Sequence, residues 1–403
     1  METKKSESLS SSKGSRERRF STDTVHGHDY YDSRSGLFKV PIFQTAVWEQ
    51  IGAARKTDRD TDLKYSREEN VTVNALEKVL SKIEGADDTL AFNSGMSAIV
   101  TAYMAALKSG DKVVITLEAY GTTQQLSFCM EKFGVKTILG GPETEDIIHS
   151  ITSDTNMVIV ETITNPLLKV IDIHEISKKC SEVGAKLLVD NTFATPLLLR
   201  PMKEGAWVSL NSLTKYLAGH NDVIGGSISG DKKTIREEFW DWRRRLGTIM
   251  NPFEAFLILR GISTFKVRFM AQSNAAMEIA KYLSDHPKIE GVYYPGLKDN
   301  PYHSTANRIF SEKTYGGVLS FKIKGGKDRT LDFLSKLKVI RASPSLGGVE
   351  SLATYPVLSA SFAMTQDVRE ALGITENLIR LSTGLEDIED LEEDLDQALS
   401  RAQ

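Results

Sequence analysis

Two stretches of this sequence decide its fold: AKLLVDNTFATP at residues 185–196 and WVSLNSLTKY at residues 207–216. Each begins with a near-continuous apolar run and then becomes polar, at Asp190 in the first stretch and at Ser212 in the second. Such runs are typical of strands buried on both faces, which occur in parallel sheets covered by helices. Because functional groups gather beyond the carboxyl ends of parallel strands, we expect the polar residues after these strands to share one site.

The same pattern extends across residues 71–264, where apolar runs alternate with amphipathic stretches. Helices are predicted over 71–85 and 94–107, because their apolar residues recur at helical spacing. The predicted strands are DTLAF (88–92), KVVITL (112–117), VKTIL (135–139), NMVIVE (156–161), AKLLVD (185–190) and WVSLN (207–211). This alternation predicts a large α/β domain with a mostly parallel sheet.

The pattern changes after residue 265, where a long helical stretch (267–284) precedes alternating strands. These strands are GGVLSFKI (316–323), KVIRAS (338–343) and LIRLSTG (378–384). A last helix is predicted over 385–402, with one apolar face and an acidic first turn that suits the helix dipole. Residues 265–403 are therefore expected to form a smaller C-terminal α+β domain.

Composition excludes several classes of protein. The 403 residues carry 50 Lys and Arg against 54 Asp and Glu, a net charge of −4, so neither nucleic acid nor an anionic membrane is attracted in bulk. No apolar run is long enough to cross a bilayer. The two cysteines, Cys129 and Cys180, lie far apart, which fits a reducing cytoplasm. The Ser-, Lys- and Glu-rich residues 1–20 are expected to be a disordered tail; an organelle transit sequence is the alternative, against which their glutamates argue.

Three predicted strand ends carry residues with a shared chemistry. The first is Asn93-Ser94-Gly95-Met96, where a strand turns into a helix whose first backbone N–H groups favour phosphate. The second is Asp190, a carboxylate that is costly to bury unless a cation faces it. The third is 212–216, where two hydroxyls accompany Lys215, whose amine can pair with phosphate or form a Schiff base. Each feature alone has an ordinary structural explanation.

Together, the three strand ends point to pyridoxal phosphate. This cofactor needs a phosphate cup, a lysine for its aldehyde and a carboxylate for its ring nitrogen. The expected phosphate cup consists of Gly95, Met96, Ser212 and Thr214, with Lys215 for the aldehyde and Asp190 for the nitrogen. The sequence contains no P-loop, GxGxxG, GxSxG or HExxH motif, and no metal site is expected.

A series of motifs follows one order along the chain. They are PIFQT (41–45), YSR (65–67), SGM (94–96), YG (120–121), ETITNPLLKVIDI (161–173), VDNTFATP (189–196), SLTKYLAGHND (212–222), LRGISTF (259–265), SLGGVESL (345–352) and RLSTGLED (380–387). From about residue 40 to the end, the chain resembles the Cys/Met-metabolism family of pyridoxal-phosphate enzymes. That family contains cystathionine γ-synthases, cystathionine γ-lyases, methionine γ-lyases and O-acylhomoserine sulfhydrylases.

The resemblance implies a role for each matching residue. Lys215 would bind the cofactor covalently and carry protons, Asp190 would pair with the ring nitrogen, and Tyr120 would stack on the ring and serve the leaving sulfur as acid or base. Tyr65 and Arg67 would reach the phosphate in a neighbouring subunit. The remaining implied residues are Asn165 near the cofactor oxygen and substrate carboxylate, Ser345 beside the lysine, and Arg380 on the α-carboxylate.

The resemblance also implies an architecture and an assembly. It implies fold type I of these enzymes, with an arm over 21–70 that contacts a neighbouring subunit, a cofactor-binding α/β domain over 71–264 and the C-terminal domain. The expected assembly is a homotetramer, a dimer of dimers whose active sites are shared between subunits.

Several positions depart from the family pattern and bear on specificity. Gln125 stands where members that handle cystathionine usually carry Arg, and Thr122 stands where methionine γ-lyases place Cys. Arg55 and Lys56 are candidates to replace the missing charge. Tyr355-Pro356 replaces the usual His-Pro and Ser359-Ala360-Ser361 replaces Met-Thr-His, whereas Glu350 is kept.

The expected function is cytoplasmic γ-elimination or γ-replacement on a small sulfur amino acid or an activated homoserine, in the manner of cystathionine γ-lyase or γ-synthase. Within the same class, a methionine γ-lyase or an O-acylhomoserine sulfhydrylase is the alternative. Two hypotheses from other classes remain: a non-catalytic homologue and a type I aminotransferase.

Overall fold

The computed structural model describes residues 18–28, 30, 36–49, 63–362 and 364–402. Most of the predicted tail therefore lies outside the described residues, as do Arg55 and Lys56. Phe20, which the sequence assigned to the tail, begins helix α1 (Phe20–His26), and its ring lies 6.0 Å from that of Phe265. Among the described residues of the predicted arm, Val47 and Tyr65 form an isolated bridge.

Seven strands form the large sheet. They are β1 (Asp88–Phe92), β2 (Lys112–Thr116), β3 (Lys136–Gly140), β4 (Met157–Glu161), β5 (Lys186–Asp190), β6 (Val208–Ser212) and β7 (Gly226–Gly230). Their order across the sheet is β1-β7-β6-β5-β4-β2-β3. Strands β2 to β6 pair in parallel, whereas β7 runs antiparallel to both β1 and β6. The mostly parallel sheet expected from the sequence is confirmed.

Strand β7 is absent from the sequence-based prediction because its sequence, GSISG, has few apolar residues. The glycine is required by a close approach: a Cβ on Gly226 would lie 2.4 Å from the carbonyl oxygen of Ser94 and 2.7 Å from Cα of Gly95. The backbone of β7 therefore packs directly against the turn where β1 passes into the next helix.

Helices cover both faces of this sheet. Their bounds are α2 (Val71–Glu84), α3 (Gly95–Ala106), α4 (Gly121–Cys129), α5 (Thr144–Ser150), α6 (Ile173–Val183), α7 (Thr195–Leu198), α8 (Trp240–Leu246) and α9 (Pro252–Ile262). The next helix, α10 (Phe265–Asp285), packs against a second, smaller sheet. Helix α2 begins where the side chain of Asn70 accepts a bond from Thr72 N–H, and it ends at Gly85, whose φ is +67°. Both predicted helices, 71–85 and 94–107, are therefore correct to within one residue at each end.

A second sheet has five strands: β8 (Ile289–Tyr293), β9 (Val318–Ile323), β10 (Arg341–Ala342), β11 (Leu352–Thr354) and β12 (Leu378–Ser382). Its order is β10-β11-β12-β9-β8, and only β10 and β11 pair in parallel. Its accompanying helices are α11 (His303–Ile309), α12 (Gly326–Lys336), α13 (Gln366–Leu372) and α14 (Ile388–Arg401). This is the smaller α+β unit expected after the large one.

One strand is shorter than the sequence predicted. Only Arg341–Ala342 of the predicted 338–343 strand joins the sheet. The side chain of Asp394, on α14, accepts bonds from the backbone N–H groups of Lys338, Val339 and Ile340 at 2.8–2.9 Å. Those donors are therefore bound to a carboxylate instead of a neighbouring strand.

Candidate active site

A cavity of about 690 Å³ lies at the carboxyl ends of β4, β5 and β6, where segments of the C-terminal unit cover the large sheet. It brings together most of the residues that the sequence analysis singled out. Those that line it are Gly95, Met96, Tyr120, Asn165, Asp190, Ser212, Thr214, Lys215, Ser345 and Arg380. Tyr65 and Arg67 are not in its wall.

Lys215 follows β6 by three residues, which places it in the cavity. Its Nζ donates a hydrogen bond to Oγ of Ser345 at 3.0 Å. Burial disfavours the ammonium form, and the positive charge of Arg380 adds to this, so the pKa of Lys215 falls to about 8. A substantial fraction of this side chain is therefore a neutral, nucleophilic amine near physiological pH.

Asp190 is the last residue of β5. Its Oδ1 accepts bonds from the backbone N–H of Thr192 at 3.0 Å and from Thr192 Oγ1 at 2.5 Å. Burial nevertheless raises the pKa of Asp190 above its usual value. Within the described residues no ion pair neutralises this carboxylate, so a cation entering the cavity would be attracted to it.

Thr192 is a site residue that the sequence analysis did not single out. Its hydroxyl donates to Asp190 and also accepts a bond from the backbone N–H of Ser212 at 2.8 Å. It thereby ties the polar end of β5 to that of β6. A hydroxyl two residues after a strand-end carboxylate was the available signal.

The N-terminus of α3 forms a third side of the cavity. Ser94 caps the helix by accepting a bond from Ser97 N–H at 3.0 Å. A Cβ on Gly95 would lie 3.4 Å from Oγ of Ser212, so the helix start and this hydroxyl nearly touch. Thr214 Oγ1 stands nearby and accepts a bond from Gly225 N–H at 3.0 Å. Free helix N–H groups beside hydroxyls suit a phosphate.

Arg380, on β12, is a buried cation with only 2% of its surface exposed. Its guanidinium donates to Oδ1 of Asn165 at 3.0 Å and to the carbonyl oxygens of Pro344 and Ser345 at 2.7 and 3.0 Å. Its Nε has no partner among the described residues. Burial lowers the pKa of Arg380 to about 10, so it keeps its charge at neutral pH. A buried cation with neutral partners favours binding an anion.

Tyr120 immediately precedes α4, and 46% of the residue's surface is exposed. Its backbone N–H donates to Oε1 of Glu161 at 2.6 Å. Glu161, the last residue of β4, also lines the cavity, and the sequence analysis did not single it out. The reasoning applied to Asp190, a carboxylate at the end of a buried strand, would have found it.

Tyr65 and Arg67 lie together away from the cavity. The Arg67 guanidinium stands 5.3 Å from the centre of the Tyr65 ring and donates to the carbonyl oxygen of Arg244 at 2.7 Å. The Tyr65 side chain is 40% exposed. Their predicted action on a neighbouring subunit is compatible with this position and stays a prediction.

The cavity rim, defined here as Ile224, Leu358 and Phe362, is apolar. These side chains line the cavity although they are 60%, 73% and 53% exposed. Among the positions that depart from the family pattern, Ser359 and Ala360 reach the cavity wall, between Leu358 and Phe362.

The other specificity positions are placed differently. Gln125 and Thr122 do not line the cavity. Glu350 is exposed, accepts a bond from Nδ2 of Asn221 at 2.7 Å and is likewise outside the wall.

The donor set fits pyridoxal phosphate. A Cβ on Gly226 would collide with the backbone of Ser94 and Gly95, so this glycine lets β7 pack against the start of α3. The free N–H groups of that helix start then lie beside Oγ of Ser212, a donor set that suits a phosphate. The carboxylate of Asp190 faces the same space as the amine of Lys215. Within the described ranges, no group of three or more His, Cys, Asp and Glu residues could hold a metal ion. No described helix has the length and apolar character needed to cross a membrane.

Comparisons with known proteins agree with this chemistry. A family model described as Cys/Met metabolism PLP-dependent enzyme matches residues 21–400. Cystathionine gamma-lyase of Bacillus subtilis is 37% identical over 377 residues, which cover 93% of this chain and 97% of the relative. Cystathionine beta-lyase of Lactococcus lactis is 36% identical over 385 residues, covering 94% and 98%.

A solved structure is similar over the same extent. Cystathionine gamma synthase from Xanthomonas oryzae pv. oryzae, in complex with cystathionine, matches with a TM-score of 0.90 and 33% sequence identity. The match covers 96% of this chain and 98% of that one. A match of this extent includes both sheets.

Proposed function

Because the chain belongs to the Cys/Met metabolism family of PLP-dependent enzymes, we propose that it breaks or forms the γ-carbon–sulfur bond of cystathionine. Its chemistry is that of a pyridoxal-phosphate lyase or transferase of sulfur amino-acid metabolism. The observation that carries the proposal is the convergence of Lys215, Asp190 and Arg380 on one cavity.

The cofactor would be held at three points. Asp190 would pair with its ring nitrogen, and Lys215 would bind its aldehyde carbon. The phosphate would lie against the N–H groups of Gly95 and Met96 and the hydroxyls of Ser212 and Thr214. When bound, pyridoxal phosphate supplies an electron sink for the negative charge that develops at the substrate Cα.

The substrate would be oriented by its α-carboxylate. Arg380 carries the buried positive charge, and the Oδ1 of Asn165 fixes its guanidinium at 3.0 Å. Binding the carboxylate there places the substrate Cα beside Lys215, since Ser345 bonds Nζ of that lysine while its own carbonyl oxygen bonds Arg380. The geometry supports a single approach of the substrate.

Proton transfer would fall to Lys215 and Tyr120. With a pKa of about 8, the Nζ of Lys215 can take the proton from Cα and then act again at Cβ. The Tyr120 hydroxyl would give a proton to the sulfur that leaves the γ-carbon. A lyase releases the remaining carbon skeleton as a 2-oxo acid and ammonia, whereas a synthase adds a thiol.

The same proposal includes an assembly and a location. Tyr65 and Arg67 would complete the phosphate site of a neighbouring subunit, which requires at least a dimer and suits a tetramer of two dimers. Residues 71–264 would be the cofactor-binding domain, 21–70 the arm and 265–403 the C-terminal domain. The free cysteines Cys129 and Cys180 are compatible with the cytoplasm.

A second candidate, methionine γ-lyase, is favoured by the apolar cavity rim. Ile224, Leu358 and Phe362 would contact the end of the substrate that lies beyond the sulfur. A methyl group suits such a surface better than the charged amino-acid end of cystathionine does.

A product screen tests both candidates. Cystathionine should give cysteine and 2-oxobutanoate, whereas cleavage at the β-carbon would give homocysteine and pyruvate. Methanethiol from methionine would favour the second candidate, and O-acylhomoserine with cysteine tests the synthase direction. Amino-group transfer to a 2-oxo acid would indicate an aminotransferase. A colourless protein that ignores added pyridoxal phosphate would contradict the proposal and favour a non-catalytic homologue.

A further inference from the structure

Glu161 is the carboxylate in the cavity to which the proposed chemistry gives no task. It ends β4, and only 7% of its surface is exposed. Its Oε1 accepts a hydrogen bond from the backbone N–H of Tyr120 at 2.6 Å. A buried acid that accepts a hydrogen bond from one backbone N–H group is suited to holding that backbone in place.

Tyr120 needs such an anchor. Its φ and ψ, −48° and 125°, lie outside the helix that follows, and its side chain caps no N–H of α4. Its carbonyl oxygen accepts bonds from Thr123 N–H and Gln124 N–H at 2.8 and 3.2 Å, both within the start of α4. Among the described residues, Glu161 on β4 is the residue whose side chain accepts a hydrogen bond from the Tyr120 backbone.

We propose that Glu161 is the positioning residue of Tyr120, fixing through this backbone hydrogen bond the place of the ring that faces the cofactor. The inference rests on the function proposed above, because it takes Tyr120 as the residue that stacks on the cofactor. Glu161 acts through Tyr120 and needs no contact with the substrate.

The surroundings of Glu161 favour its neutral form. Glu161 and Asp190 are register partners on the parallel strands β4 and β5, so their side chains share one face. Burial raises the pKa of Glu161 well above its usual range, and the negative charges of Asp190 and Glu118 raise it further. A neutral carboxylic acid still accepts through its carbonyl oxygen, as a glutamine amide does. A neutral Glu161 adds no negative charge that would compete with Asp190 for a cationic ring nitrogen.

Two substitutions of similar size show whether Glu161 matters as a hydrogen-bond acceptor or only because its side chain fills space. Glu161→Gln keeps an oxygen acceptor and the shape of the neutral acid, whereas Glu161→Met keeps the length and offers Tyr120 N–H only a thioether sulfur, which is a weak acceptor. Apoenzyme of each variant is titrated with pyridoxal phosphate, and the visible circular dichroism of the bound cofactor is recorded. Neither readout needs a substrate, so an error in the assigned reaction leaves the test intact.

The expected results differ between the two variants. E161Q should bind the cofactor within about twofold of the wild type and keep its circular dichroism. E161M should bind about tenfold or more weakly and change the dichroism, because a buried N–H loses its oxygen acceptor. If E161Q is as weak as E161M, or if neither differs from the wild type, the proposal is wrong. If E161M fails to fold, the test rests on E161Q. A tenfold loss of cofactor affinity in E161Q would overturn the proposal, because that variant keeps the oxygen acceptor.

A cycle with Tyr120→Ala shows whether the effect runs through the tyrosine ring. In that background E161M and E161Q should bind the cofactor equally, because no ring remains to be positioned. A tenfold difference that persists without the ring would place the action of Glu161 on Asp190 and overturn the inference. If Y120A alone left affinity and dichroism unchanged, the proposed role of Tyr120 itself would fail. If Y120A weakens cofactor binding and E161M does not, only the inference about Glu161 is wrong, and the proposed role of Tyr120 stands.

Discussion

The floor of the cavity and its rim are built in opposite ways. The floor, meaning Glu161, Asp190 and Lys215, lies at or just beyond the carboxyl ends of β4, β5 and β6. Strand pairing places Glu161 opposite Asp190, and Lys215 follows β6 by three residues, where its Nζ bonds Ser345. The rim residues Leu358 and Phe362 lie outside the strands and are more than half exposed.

The two regions also differ chemically. The floor is desolvated, which raises the pKa of the carboxyls of Glu161 and Asp190 and lowers that of Lys215 to about 8. The rim carries no charge. In the proposed function, the reaction chemistry would therefore depend on a buried sheet that tolerates little change, whereas the choice of substrate would depend on side chains that can change without disturbing the core.

The largest effect should come from the floor. Lys215→Ala should lower turnover by about a thousandfold or more, because the chain loses both its covalent link to the cofactor and its proton carrier. Turnover of the best substrate and the visible absorbance of the bound cofactor measure this. Lys178→Ala, at an exposed position on α6, is the control and should be unchanged. An active K215A enzyme would refute the assigned role.

The next effect tests whether the floor is completed by another subunit. Arg67→Ala should lower cofactor affinity by about 10- to 100-fold, since a charge-assisted bond to phosphate is lost. Unfolding K215A and R67A together and refolding them mixed should restore about a quarter of wild-type activity, because hybrid dimers carry one intact site. A mixture no more active than its separately refolded components would show that Arg67 serves its own subunit or none.

The pH dependence of cofactor uptake probes the desolvation of the floor. Below a pKa of about 8, Lys215 is mostly protonated, and only the neutral amine attacks the cofactor aldehyde. The rate of uptake by the apoenzyme should therefore rise about tenfold per pH unit up to about pH 8 and then level off. Rapid-mixing absorbance from pH 6 to above pH 10 measures it. A rate still rising at pH 10 would show that Lys215 is not desolvated.

The smallest effect should come from the rim. Leu358→Ser removes apolar surface beside the outer end of the substrate, so the ratio of kcat/KM for methionine to that for cystathionine should fall about three- to tenfold. Leu385→Ser, at an exposed leucine outside the cavity wall, is the matched control. An unchanged ratio would remove the rim from substrate choice.

Much of the floor was predictable from sequence because the end of an apolar run marks the end of a buried strand. Asp190 and Lys215 follow apolar runs, and the rule that parallel strands gather function at their carboxyl ends places them together. The same rule could have found Glu161. The comparisons confirm the predicted family, cofactor and enzyme class.

The rest depends on contacts between residues distant in sequence. Strand β7 is recognisable only once Gly226 packs against Ser94, and the shortened β10 only once Asp394 takes its N–H groups. Ile224 and Leu358 both line the rim although they come from different units of the chain, and no local sequence pattern predicts that they share one cavity.

Borohydride reduction of the cofactor-loaded enzyme, followed by peptide mass spectrometry, tests the central claim most directly. Reduction makes the bond between the cofactor and its lysine permanent, so the modified peptide identifies the residue. The account predicts a pyridoxyl-phosphate label on Lys215 in the wild type and no label at that site in Asp190→Ala enzyme that fails to retain the cofactor. A label on a different lysine, or a coloured enzyme with Lys215 unmodified, would contradict it.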